Sequence, residues 1–242
     1  AATTLMARPV IDAVAHVATH LPGNVHRGVH ALAEAADAAF EGARATIARH
    51  LGARADEIVL TSGTTAAINL VAQAWGRANL GPGDAVVVTA LEHHANLVPW
   101  QAACAERGAT LRIAPIDDAG RVDLAGLEAL LDARVKLVAV AHLSNVVGTI
   151  APIAAIAARA HAVGARLLVD GAQALPHVAI DVAALGCDFY ACSGHKAYGP
   201  TGTGVLWGRA EVLAAMPPWQ HGGEMVAAVE ATRARYREAP AR

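Results

Sequence analysis

The chain has little that would tie it to a membrane, a nucleic acid or an oxidising compartment. Its 242 residues include three cysteines, at positions 104, 187 and 192. Three unevenly spaced thiols build neither a disulfide framework nor a four-ligand zinc site, so no metal is expected and a reducing cytoplasm is the expected setting. No run approaches the roughly 18 apolar residues that a membrane span needs. The opening AATTLMARPV lacks the charged-then-apolar layout of a signal peptide. A formal net charge of −2 offers no attraction for nucleic acid or anionic lipid. There is no initiator methionine, and the last stretch, EATRARYREAPAR, is basic without capping residues, so both ends are expected to be cut. What remains is an alanine-rich chain with 55% hydrophobic residues, enough apolar surface for a folded α/β core and too much for disorder.

Several nucleotide and hydrolase signatures are missing too. Lys196 lacks the glycine spacing and the following Ser or Thr of a Walker A loop. The glycine cluster Gly199, Gly202 and Gly204 comes late and leads into a strand, whereas a dinucleotide fingerprint opens the first helix. "EHH" is not H-E-x-x-H, and no G-x-S-x-G elbow occurs.

Against these absences stands a repeated strand–helix pattern. Strands are expected over 57–61, 84–90, 110–116, 136–142, 166–170, 187–193 and 203–208. Runs such as AVVVTA, KLVAVAH and RLLVD are apolar without alternation, as in strands covered on both faces. Helices are expected over 27–51, 64–77, 96–107, 123–132 and 152–163, with Asp123 as an N-cap, Pro152 in a first turn, and Gly108 and Gly164 as left-handed stops. Together these predict an α/β fold, a seven-stranded, mostly parallel, doubly wound sheet with helices on both faces. One large domain is expected over 1–215. Residues 216–242 would start the connection to a small C-terminal domain that the chain does not contain.

Ligands of such a sheet bind beyond the carboxyl ends of the strands. The segments expected there are SGTT, LEHHAN, SNVVG, DGAQ and SGHK. Gly63, Thr64 and Thr65 would open a helix and could serve as an anion site or as ordinary caps. Asp170 closes an apolar strand and asks for a cation, with Gln173 three residues on. His93 could be structural or could stack on a planar ring, and Asn145 is ambiguous alone. Lys196, beside Ser193 and His195, could be a surface lysine or a cleft amine able to form a Schiff base. One cofactor uses all these parts together: pyridoxal 5′-phosphate, which needs an amine, a carboxylate for its ring nitrogen, a phosphate cradle and a stacking group.

The ordered motifs VHRGVH (25–30), TSGTTAAINLVA (61–72), EHHANLVPW (92–100), HLSNVVGT (142–149), DGAQA (170–174), CDFYACSGHKAYGPTGTGVLW (187–207) and MPPWQHGGEM (216–225) resemble the SufS-type cysteine desulfurases. These are class V aminotransferase-like, pyridoxal-phosphate-dependent enzymes of fold type I. The resemblance implies that Lys196 forms the Schiff base and takes the substrate Cα proton, while Asp170 pairs with the ring nitrogen. It implies that Gln173 bonds the ring hydroxyl, that His93 stacks on the ring and assists proton transfer, and that Asn145 faces the ring hydroxyl and substrate carboxylate. Thr64, Thr65, Ser193 and His195 would hold the phosphate. It further implies L-cysteine as substrate, alanine as product, a persulfide handed to a sulfur-acceptor protein for iron–sulfur cluster assembly or other sulfur transfer, and a homodimer. The family's persulfide cysteine and substrate-carboxylate arginine lie beyond position 242, and Cys104, Cys187 and Cys192 are not at the nucleophile's place, so this chain alone is expected to be inactive. Ser62 and Ala66 stand where arginine and glutamate are usual. A selenocysteine lyase, another class V enzyme, or a non-catalytic cofactor-binding scaffold remain alternatives.

Overall fold

The computed structural model describes residues 2–26, 28–223 and 225–238. In chain order the elements are α1 (Arg8–His20), α2 (Ala31–Leu51), β1 (Ile58–Thr61), α3 (Thr64–Leu70), α4 (Arg77–Asn79), β2 (Ala85–Thr89), α5 (Val98–Arg107), β3 (Thr110–Ala114), α6 (Leu124–Glu128) and β4 (Val135–Ala141). There follow α7 (Ile153–Ala162), β5 (Arg166–Asp170), α8 (Val182–Leu185), β6 (Phe189–Ser193), β7 (Gly204–Gly208), α9 (Ala210–Ala215), β8 (Val226–Val229) and β9 (Ala234–Tyr236).

All seven expected strands join one sheet in the order β1-β7-β6-β5-β4-β2-β3. The strands β2 to β6 pair in parallel, and β7 runs antiparallel to both its neighbours. The pleat explains the unbroken apolar runs, because successive residues of one strand face opposite layers. Val87, Val138, Val140, Leu167 and Val169 point into a core covered by α2, α6, α7 and α8. Val86, Val88, Leu137, Ala139 and Leu168 point into a second core, under α3, α5 and α9. With each such side chain adding about 1.5–3 kcal/mol on burial, the two layers fix the register.

The boundaries differ from expectation in instructive places. Helix 64–77 is not uniform: a wider π-type winding at Val71–Gly76 lies between α3 and α4, and the helix runs on to Asn79. The helix expected from 96 opens with a 3-10 turn, His94–Asn96, and is α-helical only from Val98, with Pro99 in its first turn. Asp123 does cap α6, accepting from the Ala125 N–H, but that helix stops at Glu128. Pro152 occupies the N-cap of α7 rather than its first turn. The α2 helix starts at Ala31, capped by His30, while Arg27, where its start was expected, lies outside the described residues. Ile116 leaves β3 to bridge Val122.

Helices α1, α8 and α9 and the β8–β9 pair were not foreseen. None of the α1 residues is buried, and short α8 and α9 carry too little periodicity to stand out in a sequence. Past α9 the chain stays attached to the large core: Met216 is buried, and the Trp219 Nε1 donates to Gln73 Oε1 at 3.0 Å. Among the described residues no helix is long and apolar enough to cross a membrane.

Candidate active site

Strands β1, β2, β4, β5 and β6 end on one rim, where the predicted residues fall. Ser193 closes β6, and a 3-10 turn, Gly194–Lys196, leaves His195 and Lys196 half-buried. This loop is held from the N-terminal segment. The Thr4 N–H and Oγ1 both donate to the His195 carbonyl (2.9 and 3.1 Å), and the Tyr198 N–H donates to Thr4 Oγ1 at 2.8 Å. The Ala7 N–H reaches the Tyr198 carbonyl at 3.3 Å. Thr4 thus clamps the chain on both sides of Lys196, and Tyr198 takes a left-handed φ of 61° that costs a side-chain-bearing residue about 1–2 kcal/mol. Nothing in a sequence read segment by segment links residue 4 to residue 198.

The threonines after β1 meet Ser193 directly. The Thr64 N–H donates to Ser193 Oγ at 2.8 Å, and the two hydroxyls are 2.7 Å apart. Glycine makes this approach feasible: a Cβ on Gly204 would lie 2.3 Å from the Gly63 Cα. Thr65 is exposed one residue on, its carbonyl accepting from Asn69 Nδ2. Thr64, Thr65 and Ser193 therefore meet at the start of α3, with hydroxyls that could turn to an anion, and His195 lies two residues beyond Ser193.

Asp170, at the end of β5, is 6% exposed. Its hydrogen bond among the described residues comes from the Ala172 N–H (2.9 Å), and no described cation pairs with it within 4 Å. Burial raises its carboxyl above the ordinary value, while Ala172 and the nearby charges of Lys196 and His93 pull the other way. Gln173 is buried on the following turn. Behind them, Gly171 lies against the Tyr190 ring, which any Cβ there would overlap at 2.0 Å. Tyr190 shares a 3.0 Å hydrogen bond with His142 Nδ1, and burial lowers the His142 pKa. His93 is exposed after β2, its Nδ1 accepting from the Ala95 N–H at 3.1 Å. Asn145 is exposed in the loop after β4, where no hydrogen bond among the described residues ties its side chain to the other rim residues.

Glu92, the first residue of the EHHANLVPW motif, has a role that the sequence does not assign. Glu92 accepts from Thr89 Oγ1 (2.6 Å) and the Ala141 N–H (3.0 Å) through Oε1, and from Asn96 Nδ2 (2.6 Å) through Oε2. Burial pushes its pKa up to about 7 against these three donors, with the charge of Asp170 adding to the rise. The sequence signal was the i, i+4 spacing of Glu92 and Asn96 straight after an apolar strand.

The cysteines are not part of this rim chemistry. All three are buried and unpaired with one another, and burial pushes the Cys187 and Cys192 thiols up to about 12, far from a reactive thiolate. Among the described residues no group of three or more His, Cys, Asp or Glu is gathered to hold a metal ion. A cavity of about 690 Å³ opens beside the rim, lined by Arg44, Ser62, Ala66, Trp219, His221 and Arg237 among others. None of the predicted site residues lines it.

The whole chain, residues 1–242, matches the aminotransferase class-V family. The chain belongs to that family. This class-V chain is 52% identical over 241 residues to a probable cysteine desulfurase of Mycolicibacterium paratuberculosis, covering 99% of itself and 35% of that protein. It is 53% identical over 225 residues to a cysteine desulfurase of Dickeya dadantii, covering 93% of itself and 55% of that protein. The crystal structure of the cysteine desulfurase CsdA from Escherichia coli superposes with a TM-score of 0.92 at 42% identity, over 99% of this chain and 60% of the other. The chain thus spans about a third to three fifths of the length of these relatives. Class-V aminotransferases and cysteine desulfurases are pyridoxal-phosphate-dependent families. The residues present fit that cofactor: a buried carboxylate without a paired cation among the described residues, a half-buried lysine whose charge it feels, and a hydroxyl-lined helix start on the same rim.

Proposed function

We propose that residues 1–215 form the pyridoxal-phosphate-binding domain of a cysteine desulfurase and that 216–242 begin its connection to a further domain. The observation that carries this is Asp170, a carboxylate buried at the strand-end rim with no ion pair among the described residues, electrostatically coupled to Lys196. A buried charge is tolerated only when something completes it, and the protonated ring nitrogen of the cofactor would. When bound, that cofactor supplies an aldehyde that an amine can attack and a ring that takes up the electron pair of a departing Cα proton.

Lys196 would supply the amine that bonds the aldehyde and would accept the Cα proton of an amino-acid substrate. Asp170 would keep the ring nitrogen protonated, Gln173 and Asn145 would hold the ring hydroxyl, and Asn145 would also hold the substrate carboxylate. His93 would stack on the ring, with its Nδ1 accepting the Ala95 N–H and the proton of the neutral imidazole on Nε2. Thr64, Thr65, Ser193 and His195 would take the phosphate. L-cysteine is the substrate, its sulfur leaves to a thiol as a persulfide, and alanine remains. That thiol is not Cys104, Cys187 or Cys192, all of which are buried, so this chain alone binds the cofactor without completing turnover. A homodimer in the cytoplasm, passing sulfur to an acceptor protein for iron–sulfur cluster assembly, follows from the family resemblance.

The test titrates the chain with pyridoxal phosphate and then with L-cysteine. A visible absorption band is expected on cofactor binding and a spectral change on adding cysteine, with both lost in Lys196→Ala. A band that persists unchanged in Lys196→Ala would overturn the assignment.

A further inference from the structure

We propose that Glu92 is a positioning residue that fixes the His93 imidazole in a single tautomer, acting through Asn96 and the junction of β2 with β4. This rests on the placement of His93 at the cofactor ring.

The β2–β4 pairing ends at Val88 and Ala139, and β2 itself ends at Thr89. Two residues on, Ala141 still pairs with Asp170 on β5 but has lost its β2 partner. Its N–H is taken by Glu92 Oε1 at 3.0 Å. The Glu92 carboxylate therefore substitutes for a strand carbonyl and closes the gap between the loop bearing His93 and the strand adjoining Asp170.

Its second oxygen accepts from Asn96 Nδ2 (2.6 Å), whose Oδ1 is occupied by Trp100 Nε1 (3.1 Å). Asn96 is 0% exposed, and its backbone N–H donates to the His93 carbonyl at 2.8 Å. One residue thus binds the Glu92 side chain with its amide and the His93 main chain with its backbone. Within the same turn the Ala95 N–H points at His93 Nδ1 (3.1 Å). As long as the turn holds its shape, Nδ1 is an acceptor and the neutral ring carries its proton on Nε2. Among the described residues Glu92 meets donors only: a hydroxyl, a backbone N–H and an amide NH₂. An amide in its place would set its own NH₂ against one of them, and Asn96 could turn to suit it only by abandoning Trp100.

The experiment uses the whole chain and has two arms. In the cofactor-free chain, ¹⁵N imidazole NMR reports the His93 tautomer, its signals assigned by their loss in His93→Ala. Wild type is expected to show the Nε2–H form and Glu92→Gln a mixture of both tautomers; unchanged His93 signals in Glu92→Gln would overturn the proposal. In the second arm, Glu92→Gln is expected to weaken pyridoxal-phosphate binding about tenfold, and to have no further effect in a His93→Ala background. Equal losses in both backgrounds would show that Glu92 acts independently of His93. If Glu92→Gln does not fold, Asn96→Ser cuts the same link and is expected to mix the tautomers equally. A wild-type chain that binds no cofactor would defeat the functional assignment, while the first arm would still decide the role of Glu92.

Discussion

Strand β5 carries one buried aspartate site at each end, and the two are built differently. At its start, Arg166 pairs with Asp188, which precedes β6 and is 0% exposed. Asp188 also accepts from His161 Nε2 and the Leu167 N–H, both at 2.8 Å, and lies 3.5 Å from Arg209 Nε. At the far end, roughly 13 Å along the strand at about 3.3 Å per residue, Asp170 has one backbone donor and no ion pair within 4 Å among the described residues, although the charges of Lys196 and His93 act on it. The same residue type, buried at both ends, is paired by several side chains at one rim and by one backbone N–H among the described residues at the other. The first arrangement is structural. The second leaves a buried acid with a raised pKa at a strand-end rim, which makes it a candidate for completion by a ligand.

The largest expected effect tests the structural end. Asp188→Ala should cost about 3 kcal/mol of unfolding free energy in urea, the low end for a broken buried pair, because its three side-chain partners Arg166, Arg209 and His161 each keep about a third or more of their surface in water. Cofactor affinity of the folded fraction should not change. If it falls as well, the two ends of β5 are not independent.

Asp170→Asn should do the opposite. Cofactor affinity should drop about 10- to 150-fold, since a hydrogen bond to a charged group contributes about 1.5–3 kcal/mol, while the cofactor-free chain should be as stable or more so. The pH dependence sharpens this. Burial raises the folded-state pKa of Asp170, and that of Glu92 to about 7. Above the ordinary carboxylate range and below those raised values, the folded chain binds more protons than the unfolded one. Stability of the cofactor-free chain should therefore fall as pH rises from about 4.5 to about 7, and Asp170→Asn should flatten part of that slope in urea titrations at stepped pH. A slope of the opposite sign would mean that Asp170 is already compensated without a ligand.

The smallest expected effect concerns the lysine loop. Thr4→Val removes the hydroxyl that donates to His195 and accepts from Tyr198, for about 0.5–1.5 kcal/mol of stability. Hydrogen exchange should quicken at the Tyr198 amide and not at Leu167, whose N–H is held by Asp188.

Much of the fold was legible because burial on both faces leaves an apolar strand with no alternation, as in Ala85–Thr89 and Arg166–Asp170. Polar residues placed just after such strands mark the rim. Boundaries were less legible where local winding gave way to tertiary packing, as in the π-type turn at Val71–Gly76. The α1 helix was missed because it follows the irregular opening and buries none of its side chains. Glu92 was visible within its motif, yet its role depends on the Ala141 N–H, 49 residues away, and spacing cannot show that.

By itself the sequence determined the α/β architecture, the rim on which chemistry would gather, and the residue types present there, because hydrophobic periodicity and strand-end position are local properties. Only the tertiary structure decided that Ser193 bonds Thr64, that Thr4 clamps the lysine loop, and that Asp170 has fewer partners than Asp188 among the described residues. Each of these depends on groups far apart in the chain meeting within hydrogen-bond distance, and on how much water is left around them.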